Sequence, residues 1–316
     1  MTILQKRVAA ILMFCCGLAC AQDYLARPLH IYTSQSGSGS DVVARILAKR
    51  LPETFGQNAV VDNRGILAPE LAAKAQPDGY TVLFYSTPLW VSPLLQAKSQ
   101  WDATRDFAPV TLAVNAPNLL AVHPSLPVKS VRELLALAKA RPGELNYGSG
   151  SVGSSSHLAA ELFNAMAGIN IVRVPYRGVG PALVGLFGGQ VQVLFPSAGS
   201  ALPYVKSGRM RALAVASTKP STLMPDVPTI AASGVSGYEA DTPLGVFVPA
   251  GTPAKIIAQL FQGITATLQL PDIRKLVLTQ GFEVVASAPS DFAAWMKSDV
   301  ARWRTLIRDK GLREGQ

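Results

Sequence analysis

The chain has 316 residues, a formal net charge of +9, and three cysteines that all lie within the first 20 residues. Without a cysteine beyond that point, the rest of the chain cannot form a disulfide scaffold, a thiolate nucleophile, a cysteine-bound zinc site or an iron–sulfur cluster. Its basic residues are scattered, without a dense run or interleaved aromatics, and this argues against nucleic-acid binding.

The first 21 residues have the pattern of a secretory signal peptide. Lys6 and Arg7 form a charged start, residues 8–18 an apolar run, and residues 19–21 a small-x-small cleavage site. Cleavage would leave 295 residues with a net charge of +7. The alternative is a lipoprotein anchored at Cys20. No later apolar run approaches the roughly 18 residues of a membrane-spanning helix, so we expect a soluble protein exported to the periplasm.

Short β-branched runs alternate with helical patterns along the mature chain, which predicts an α/β architecture with mainly parallel sheets. Apolar side chains spaced three and four apart predict the intervening helices, including a last one over about 290–309 whose aromatic side chains are assigned to the core. The predicted strands are 29–33, 59–63, 81–86, 119–123, 145–147, 171–176, 191–195, 213–217, 245–248 and 283–286.

Two irregular segments rich in proline, at 123–127 and 218–243, interrupt this alternation and predict two chain crossings between domains. The first domain is therefore predicted at 22–122, the second at 123–237, and the return to the first domain at 238–316. If the two predicted domains face each other, the space between them forms a cleft.

Two loops rich in glycine and serine, at 34–40 and 148–156, each follow a predicted strand and open a predicted helix. Unpaired backbone N–H groups, hydroxyls and the positive end of the helix dipole converge at each loop, which suits a carboxylate or a phosphate. Glycine and serine are also ordinary turn and N-cap residues. One such loop in each predicted domain favours a shared ligand site in the cleft.

The spacing of residues gives little support to an enzyme or a cofactor-binding protein. Residues 148–153 match G-x-G-x-x-G, but no acidic residue follows about 20 positions later to bind a ribose. Arg173 or Arg177 could in principle bind the 2′-phosphate of a nicotinamide cofactor. Export from the cytoplasm disfavours such a cofactor. No G-x-S-x-G, H-E-x-x-H or Walker sequence occurs. We therefore predict no catalytic residue, cofactor or metal. His157 is interpreted as a surface or capping residue, with contact to an anion as the alternative.

Seven further motifs stand in a defined order: KAQPDGYT at 74–81, DFAPV at 106–110, LNYGS at 145–149, VPYRG at 174–178, GGQV at 188–191, PDVPT at 225–229 and PAGTP at 249–253. In this order the chain, from about residue 27 to 312, resembles the Bug receptors, the solute-binding proteins of the tripartite tricarboxylate transporter family. The resemblance implies a two-domain periplasmic binding protein of type II, which closes like a flytrap on a small di- or tricarboxylate, acidic amino acid or aromatic acid.

The implied partners are the membrane subunits of a tripartite transporter, with a sensor-kinase ectodomain as the alternative, and the receptor is expected to be a monomer. In the family, backbone groups and ordered waters of two loops hold the ligand carboxylate. The ligand-binding residues predicted from the loops and from the resemblance are Ser34, Gln35, Ser36, Gly37, Ser38, Ser149, Gly150, Gly153, Ser154, Ser155 and Pro196.

The sequence departs from the family pattern around this predicted site. Residues 33–38 replace the common Pro-Phe-Pro-Ala-Gly-Gly and so exchange an apolar wall for hydroxyl and amide groups. The Gly-rich loop after Arg64 is shortened, Gln192 stands where aspartate is common, and Pro196 follows Phe195 where the family commonly has aspartate. We therefore expect an atypical pocket.

Overall fold

The computed structural model describes residues 26–96, 99–150 and 153–310, so the predicted signal segment and Cys20 lie outside the described residues. The described part contains eleven strands in two sheets, with helices packed against them. The strands are β1 Leu29–Thr33, β2 Ala59–Asn63, β3 Thr81–Ser86, β4 Phe107–Ala116, β5 Leu119–Val122, β6 Asn146–Ser149, β7 Val172–Pro175, β8 Val193–Leu194, β9 Arg211–Val215, β10 Thr242–Pro249 and β11 Glu283–Val284.

The helices of the described part fill most connections between these strands, and a short 3-10 turn at Gly65–Leu67 precedes the second of them. They are α1 Gly39–Phe55, α2 Ala68–Ala73, α3 Pro88–Leu95, α4 Val131–Ala140, α5 Ser155–Ala167, α6 Val179–Phe187, α7 Ala198–Lys206, α8 Ala254–Gln269, α9 Pro271–Thr279 and α10 Pro289–Lys310.

Both sheets are mixed, which corrects the prediction of mainly parallel sheets. The first has the order β11-β4-β10-β3-β1-β2 and the second β7-β6-β8-β5-β9. In the first, only β1 with β2 and β1 with β3 are parallel pairs. The chain leaves the first sheet at Ala116 and returns beside it at Thr242, so β4 and β10 must run in opposite directions. The same reasoning applies to β5 and β9 in the second sheet, where Leu119 faces Val215.

Three predicted strands, β1, β2 and β3, agree with the structure at both ends, whereas β4 was missed altogether. Pro109 lies within β4, and a proline in the middle of a sheet removes a ladder hydrogen bond. The structure accommodates it because β11 pairs with β4 only at Asn115 and Val114, which leaves the stretch around Pro109 unpaired on that side. A register shift in the pairing with β10 lies at the same stretch.

Strand β5 belongs to the second sheet, although the predicted domain limits place its residues in the first domain. The boundary at residue 122 assigns β5 to the first domain, but β5 pairs with β8 and β9 of the second sheet. The crossing therefore lies at Pro117 and Asn118, where the Asn118 side chain donates to the carbonyl of Ala240 in the returning segment. Apolar alternation could not show this, because β4 and β5 are separated by only two residues.

The last helix is close to its prediction and completes the core beneath the first sheet. In α10, Phe292 and Trp303 are buried, and Trp295 and Leu306 pack against them. The Trp295 ring meets Trp90 of α3 edge-on, with 5.9 Å between the ring centroids. The predicted assignment of this aromatic face to the core is confirmed.

Two glycines allow helix α7 and the turn between α9 and β11 to pack in close contact. Gly199 stands in the first turn of α7, and Gly281, with φ of +84°, lies in the turn between α9 and β11. A Cβ on Gly199 would come within 2.6 Å of the Gly281 Cα and still closer to the carbonyl oxygen of Gln280. Because both obstacles are backbone atoms, neither can rotate away.

We expect Gly199→Ala to lower the free energy of unfolding by about 1–3 kcal/mol, since the added methyl forces α7 away from this turn. Gly180→Ala is a matched control, because Gly180 also stands second in its helix, α6, and a Cβ there meets no atom within 4 Å. The control should keep or slightly raise stability. Urea titration followed by circular dichroism measures both, and equal stabilities would contradict this account of the contact.

Candidate functional site

A cluster of serine hydroxyls lies where β1 ends and α1 begins. Ser38 is the N-cap of α1, and its hydroxyl accepts a hydrogen bond from the backbone N–H of Asp41 at 3.2 Å. The Ser34 Oγ lies 2.7 Å from the Ser38 Oγ and 2.5 Å from the Ser40 Oγ. These hydroxyls therefore form a connected donor and acceptor group at the positive end of the α1 dipole.

Asp41 stabilises this loop through hydrogen bonds to its carboxylate. Its buried carboxylate accepts hydrogen bonds from the Gly37 N–H at 2.8 Å, the Asn63 amide at 2.9 Å and the Arg45 guanidinium at 2.8 Å. Burial acts to raise the pKa of Asp41, but the bonds from Asn63 and Gly37 and the charge of Arg45 bring it below its usual value. Asp41 is therefore ionised and satisfied within the fold.

The second Gly/Ser loop is built in a similar way at the start of α5. Ser154 is the N-cap, and its hydroxyl lies 3.2 Å from the Ser156 Oγ, which in turn accepts from the Gly150 N–H. The Gly153 N–H donates to Nδ1 of His157 at 3.2 Å. Burial, and next the charge of Arg173, lower the pKa of His157 to about 4. The neutral imidazole thus accepts a hydrogen bond from the loop, which fits the predicted capping role, whereas the alternative of a surface residue is wrong because His157 is buried.

A cavity of about 400 Å³ lies between the two loops. Eight of its fifteen lining residues are serine or threonine, and none of the fifteen carries a charged side chain. The lining residues are Ser34, Gln35, Ser38, Gly39, Ser40, Ile66, Tyr85, Ser86, Pro88, Ser92, Trp101, Ser154, Ser155, Thr242 and Leu244.

The topology explains why the cavity forms here. The parallel strands β1 and β3 end at this edge of the first sheet, and the antiparallel β10 begins there, with Leu244 opposite Ser86. The open edge at the carboxyl ends of parallel strands is the usual ligand position in α/β folds. The helices α1, α3 and α5 also begin at the lining, with Gly39, Pro88 and Ser155, so three helix N-termini lie beside one space.

The lining also contains two aromatic side chains whose polar atoms are hydrogen-bonded to backbone carbonyls. The Tyr85 hydroxyl donates to the carbonyl of Gly65 at 3.0 Å, and the Trp101 indole N–H donates to the carbonyl of Leu89 at 2.7 Å. Burial raises the pKa of Tyr85 to about 12, so its phenol stays neutral. The cavity therefore has hydroxyl-rich and apolar surfaces side by side.

The structure brings five of the eleven predicted residues to this cavity: Ser34, Gln35, Ser38, Ser154 and Ser155. Ser36 and Gly37 are exposed at the tip of the first loop and do not line it. Both predicted loops thus meet at one cavity, although their ligand-binding role stays a prediction.

The other predicted residues lie behind the second loop or near the crossing. Ser149 is fully buried and accepts from Arg173, and Gly150 and Gly153 donate within the loop. Pro196 is buried, and its carbonyl accepts from the Leu119 N–H at 2.8 Å. These four residues support the loop and the crossing and are not part of the cavity lining.

Several lining residues are not among those predicted from the sequence. Ser86 carried a usable signal, since it ends a correctly predicted strand whose carboxyl end should face the cleft. Ser40 belonged to the first loop but was not selected. Trp101 and Thr242 had no local signal, because only the tertiary structure brings their segments to this edge.

Two further features concern metal binding and membrane insertion in the described part of the chain. No group of three or more His, Cys, Asp or Glu side chains in this part of the chain is placed to hold a metal ion. Among the described helices, none is long and apolar enough to cross a membrane.

Comparison with known proteins gives consistent matches over almost the whole chain. Residues 43–312 match the model of the tripartite tricarboxylate transporter family receptor. The protein BugT of Bordetella pertussis is 35% identical over 298 residues, which cover 92% of this chain and 91% of BugT.

Two solved structures from Rhodopseudomonas palustris are similar in sequence and fold. Rpa4515 with adipate has 34% identity and a TM-score of 0.82, covering 92% of this chain and 99% of that one. MatC with bound malate has 27% identity and a TM-score of 0.78, covering 90% of this chain and 100% of that one.

Proposed function

Because this chain belongs to the tripartite tricarboxylate transporter family of receptors, we propose that it binds a small carboxylic acid between its two Gly/Ser loops and delivers it to a transporter. Binding requires no catalytic step in this proposal. The loops and the helix N-termini hold the carboxylate, and the apolar surface meets the carbon chain.

Family membership confirms the resemblance to the Bug receptors and the two-domain α/β fold of a periplasmic binding protein. It also supports a periplasmic location, because related structures are periplasmic binding proteins. Cleavage of the signal peptide, the monomeric state and the identity of the solute remain proposals.

The observation that carries the proposal is the uncharged, hydroxyl-rich lining at three helix N-termini. Hydroxyls and backbone N–H groups at a helix start can donate to a carboxylate without a buried counter-charge. Adipate and malate in the two related structures are small carboxylic acids of the proposed class.

A thermal-shift screen tests the ligand class. The panel contains adipate, malate, succinate, glutamate and benzoate, each paired with its uncharged amide where one exists. We expect at least one acid to raise the melting temperature, with calorimetry then giving its affinity, while the paired amide has little effect. If no carboxylic acid stabilises the protein, the proposed ligand class is wrong.

Replacement of Ser155 by phenylalanine should weaken binding of the acid found in this screen at least about tenfold, because the ring fills space beside the α5 N-terminus. Ser36→Phe is the matched control, since Ser36 lies in the other Gly/Ser loop but is exposed and outside the lining. Calorimetry on both variants decides the assignment. Equal affinities in the two variants would place the ligand elsewhere.

Delivery to a transporter is tested by uptake of the labelled acid in cells that carry or lack the gene. Loss of uptake supports the transport role. Normal uptake, together with co-purification of a sensor-kinase ectodomain, would replace it by a signalling role. Fractionation of the periplasm, with mass spectrometry of the N-terminus, tests export and cleavage after residue 21.

A further inference from the structure

Arg173 supports the second Gly/Ser loop from β7. Its strand pairs in parallel with β6, where Arg173 faces Tyr147. The guanidinium donates from Nε to the Ser149 hydroxyl at 2.8 Å and from Nη2 to the Gly150 carbonyl at 2.9 Å. Both acceptors lie at the start of the loop that leads to the N-cap of α5, so the side chain holds Ser149 and Gly150 in place.

Arg173 forms no ion pair with any of the described residues. Within the described part of the chain, no carboxylate lies within 4.0 Å of the guanidinium. Glu161 is bonded to the hydroxyl of the facing Tyr147. Arginine in protein interiors is normally paired with an acid, because a desolvated charge with neutral partners alone is unfavourable. A half-buried arginine that binds two neutral oxygens therefore leaves a positive potential at this loop.

This potential reaches the start of α5. Gly150, which accepts from Arg173, packs against the N-cap, since a Cβ on Gly150 would lie 3.2 Å from the Ser154 hydroxyl. The same charge contributes to the lowered pKa of His157 in the first turn of α5. Ser154 and Ser155 line the cavity, whereas Arg173 does not, so Gly150 connects the guanidinium to the lining residues.

We infer that Arg173 is a positioning residue that also supplies the positive charge for anion selection in a cavity whose own lining is uncharged. This inference rests on the proposed binding of a carboxylic acid. The arginine acts through the loop and the α5 N-terminus without touching the solute. It adds a fixed charge to the helix dipole, and a fixed charge discriminates an anion from an uncharged molecule of the same shape.

Three variants separate charge from loop support. Arg173→Lys keeps the charge and loses the fork of two donors, and Arg173→Gln loses the charge. Arg177→Gln is the matched control, because it removes the same charge from an exposed position four residues later. The probes are adipate and malate, with adipamide as the uncharged counterpart of adipate, and calorimetry gives the affinities.

We expect Arg173→Gln to weaken binding of the acid about tenfold or more at low ionic strength, because the lost charge lowers the positive potential at the start of α5, where Ser154 and Ser155 line the cavity. Arg173→Lys should recover most of the affinity, and Arg177→Gln should change it little. The loss in Arg173→Gln should shrink between about 0.02 and 0.5 M salt, since added ions screen the interaction. Affinity for adipamide, if measurable, should not change.

A second measurement needs no solute. NMR titration of His157 should show that its pKa rises in Arg173→Gln and stays low in Arg173→Lys and Arg177→Gln. If Arg173 only supported the loop, Arg173→Gln and Arg173→Lys would not differ in the pKa of His157 or in the salt dependence of binding.

The outcomes separate the two proposals. If the wild-type protein binds neither adipate nor malate nor any other acid of the screen, the proposed function fails, and the His157 titration still tests the charge at the helix start. If the wild type binds an acid, the inference is overturned when Arg173→Gln binds it as tightly, or when Arg173→Lys is as weak as Arg173→Gln. An unchanged pKa of His157 in Arg173→Gln overturns it as well.

Discussion

Replacement of Asp299 by alanine should lower the free energy of unfolding by about 3–5 kcal/mol, because it removes the acceptor of three donors at once. Asp299 is buried in α10. Its Oδ2 accepts from the indole N–H groups of Trp90 at 2.8 Å and Trp303 at 3.0 Å, and its Oδ1 is paired with Arg302. Alanine would leave two buried indole N–H groups without a partner and a guanidinium without its counter-charge.

The matched control is Asp299→Asn, which keeps the side-chain shape and one carbonyl oxygen. That oxygen can still accept from both indoles, so we expect a loss of only about 1–2 kcal/mol. Urea unfolding followed by tryptophan fluorescence measures both variants. A loss below 1 kcal/mol for alanine, or equal losses for the two variants, would contradict the assigned role of the network.

Asp241 should make the protein less stable as the pH rises from about 4 to about 7. Burial raises the pKa of its carboxyl to about 7; the bond from Asn115 and the charge of Arg302 oppose this, and Glu239 and Glu283 reinforce it. The Asn115 amide donates to Asp241 Oδ2 at 2.6 Å, whereas Oδ1 of Asp241 is buried without a partner in the described structure. The fold therefore favours the protonated carboxyl.

The sign follows from proton binding in the two states. Between the unfolded pKa near 3.8 and the folded value of about 7, the folded protein keeps a proton that the unfolded chain has lost. Stability from this group is thus complete below the lower value and falls by up to about 1.4 kcal/mol per pH unit until the upper one is passed.

Asp241→Asn should remove this slope and make the protein more stable than the wild type at pH 8. Asp226→Asn is the control, because it removes a carboxyl from an exposed position. The measurement is chemical unfolding of the three proteins at several pH values from 4.5 to 8. If wild type and Asp241→Asn show parallel profiles, Asp241 does not hold a proton in the folded state.

The candidate site was predictable to the extent that its signals are local. Ser38 and Ser154 were recognisable as members of Gly/Ser loops that each follow a strand and open a helix, and in the structure each is the N-cap of its helix. Ser36 shows the limit of such reasoning. It shares the composition of the loop, but it is exposed and lies outside the lining, and residue type alone does not distinguish it from Ser34 and Ser38.

Local sequence patterns were sufficient to predict the α/β class, the positions of β1, β2 and β3, the aromatic face of α10 and the two loops that meet at the cavity. Each of these depends on short-range periodicity or capping. The mixed sheets, the membership of β5 in the second sheet and the contribution of Trp101 and Thr242 to the cavity became visible only in the folded chain. These features result from pairing between segments far apart in the chain, and local patterns carry no record of which partner a strand or loop will meet.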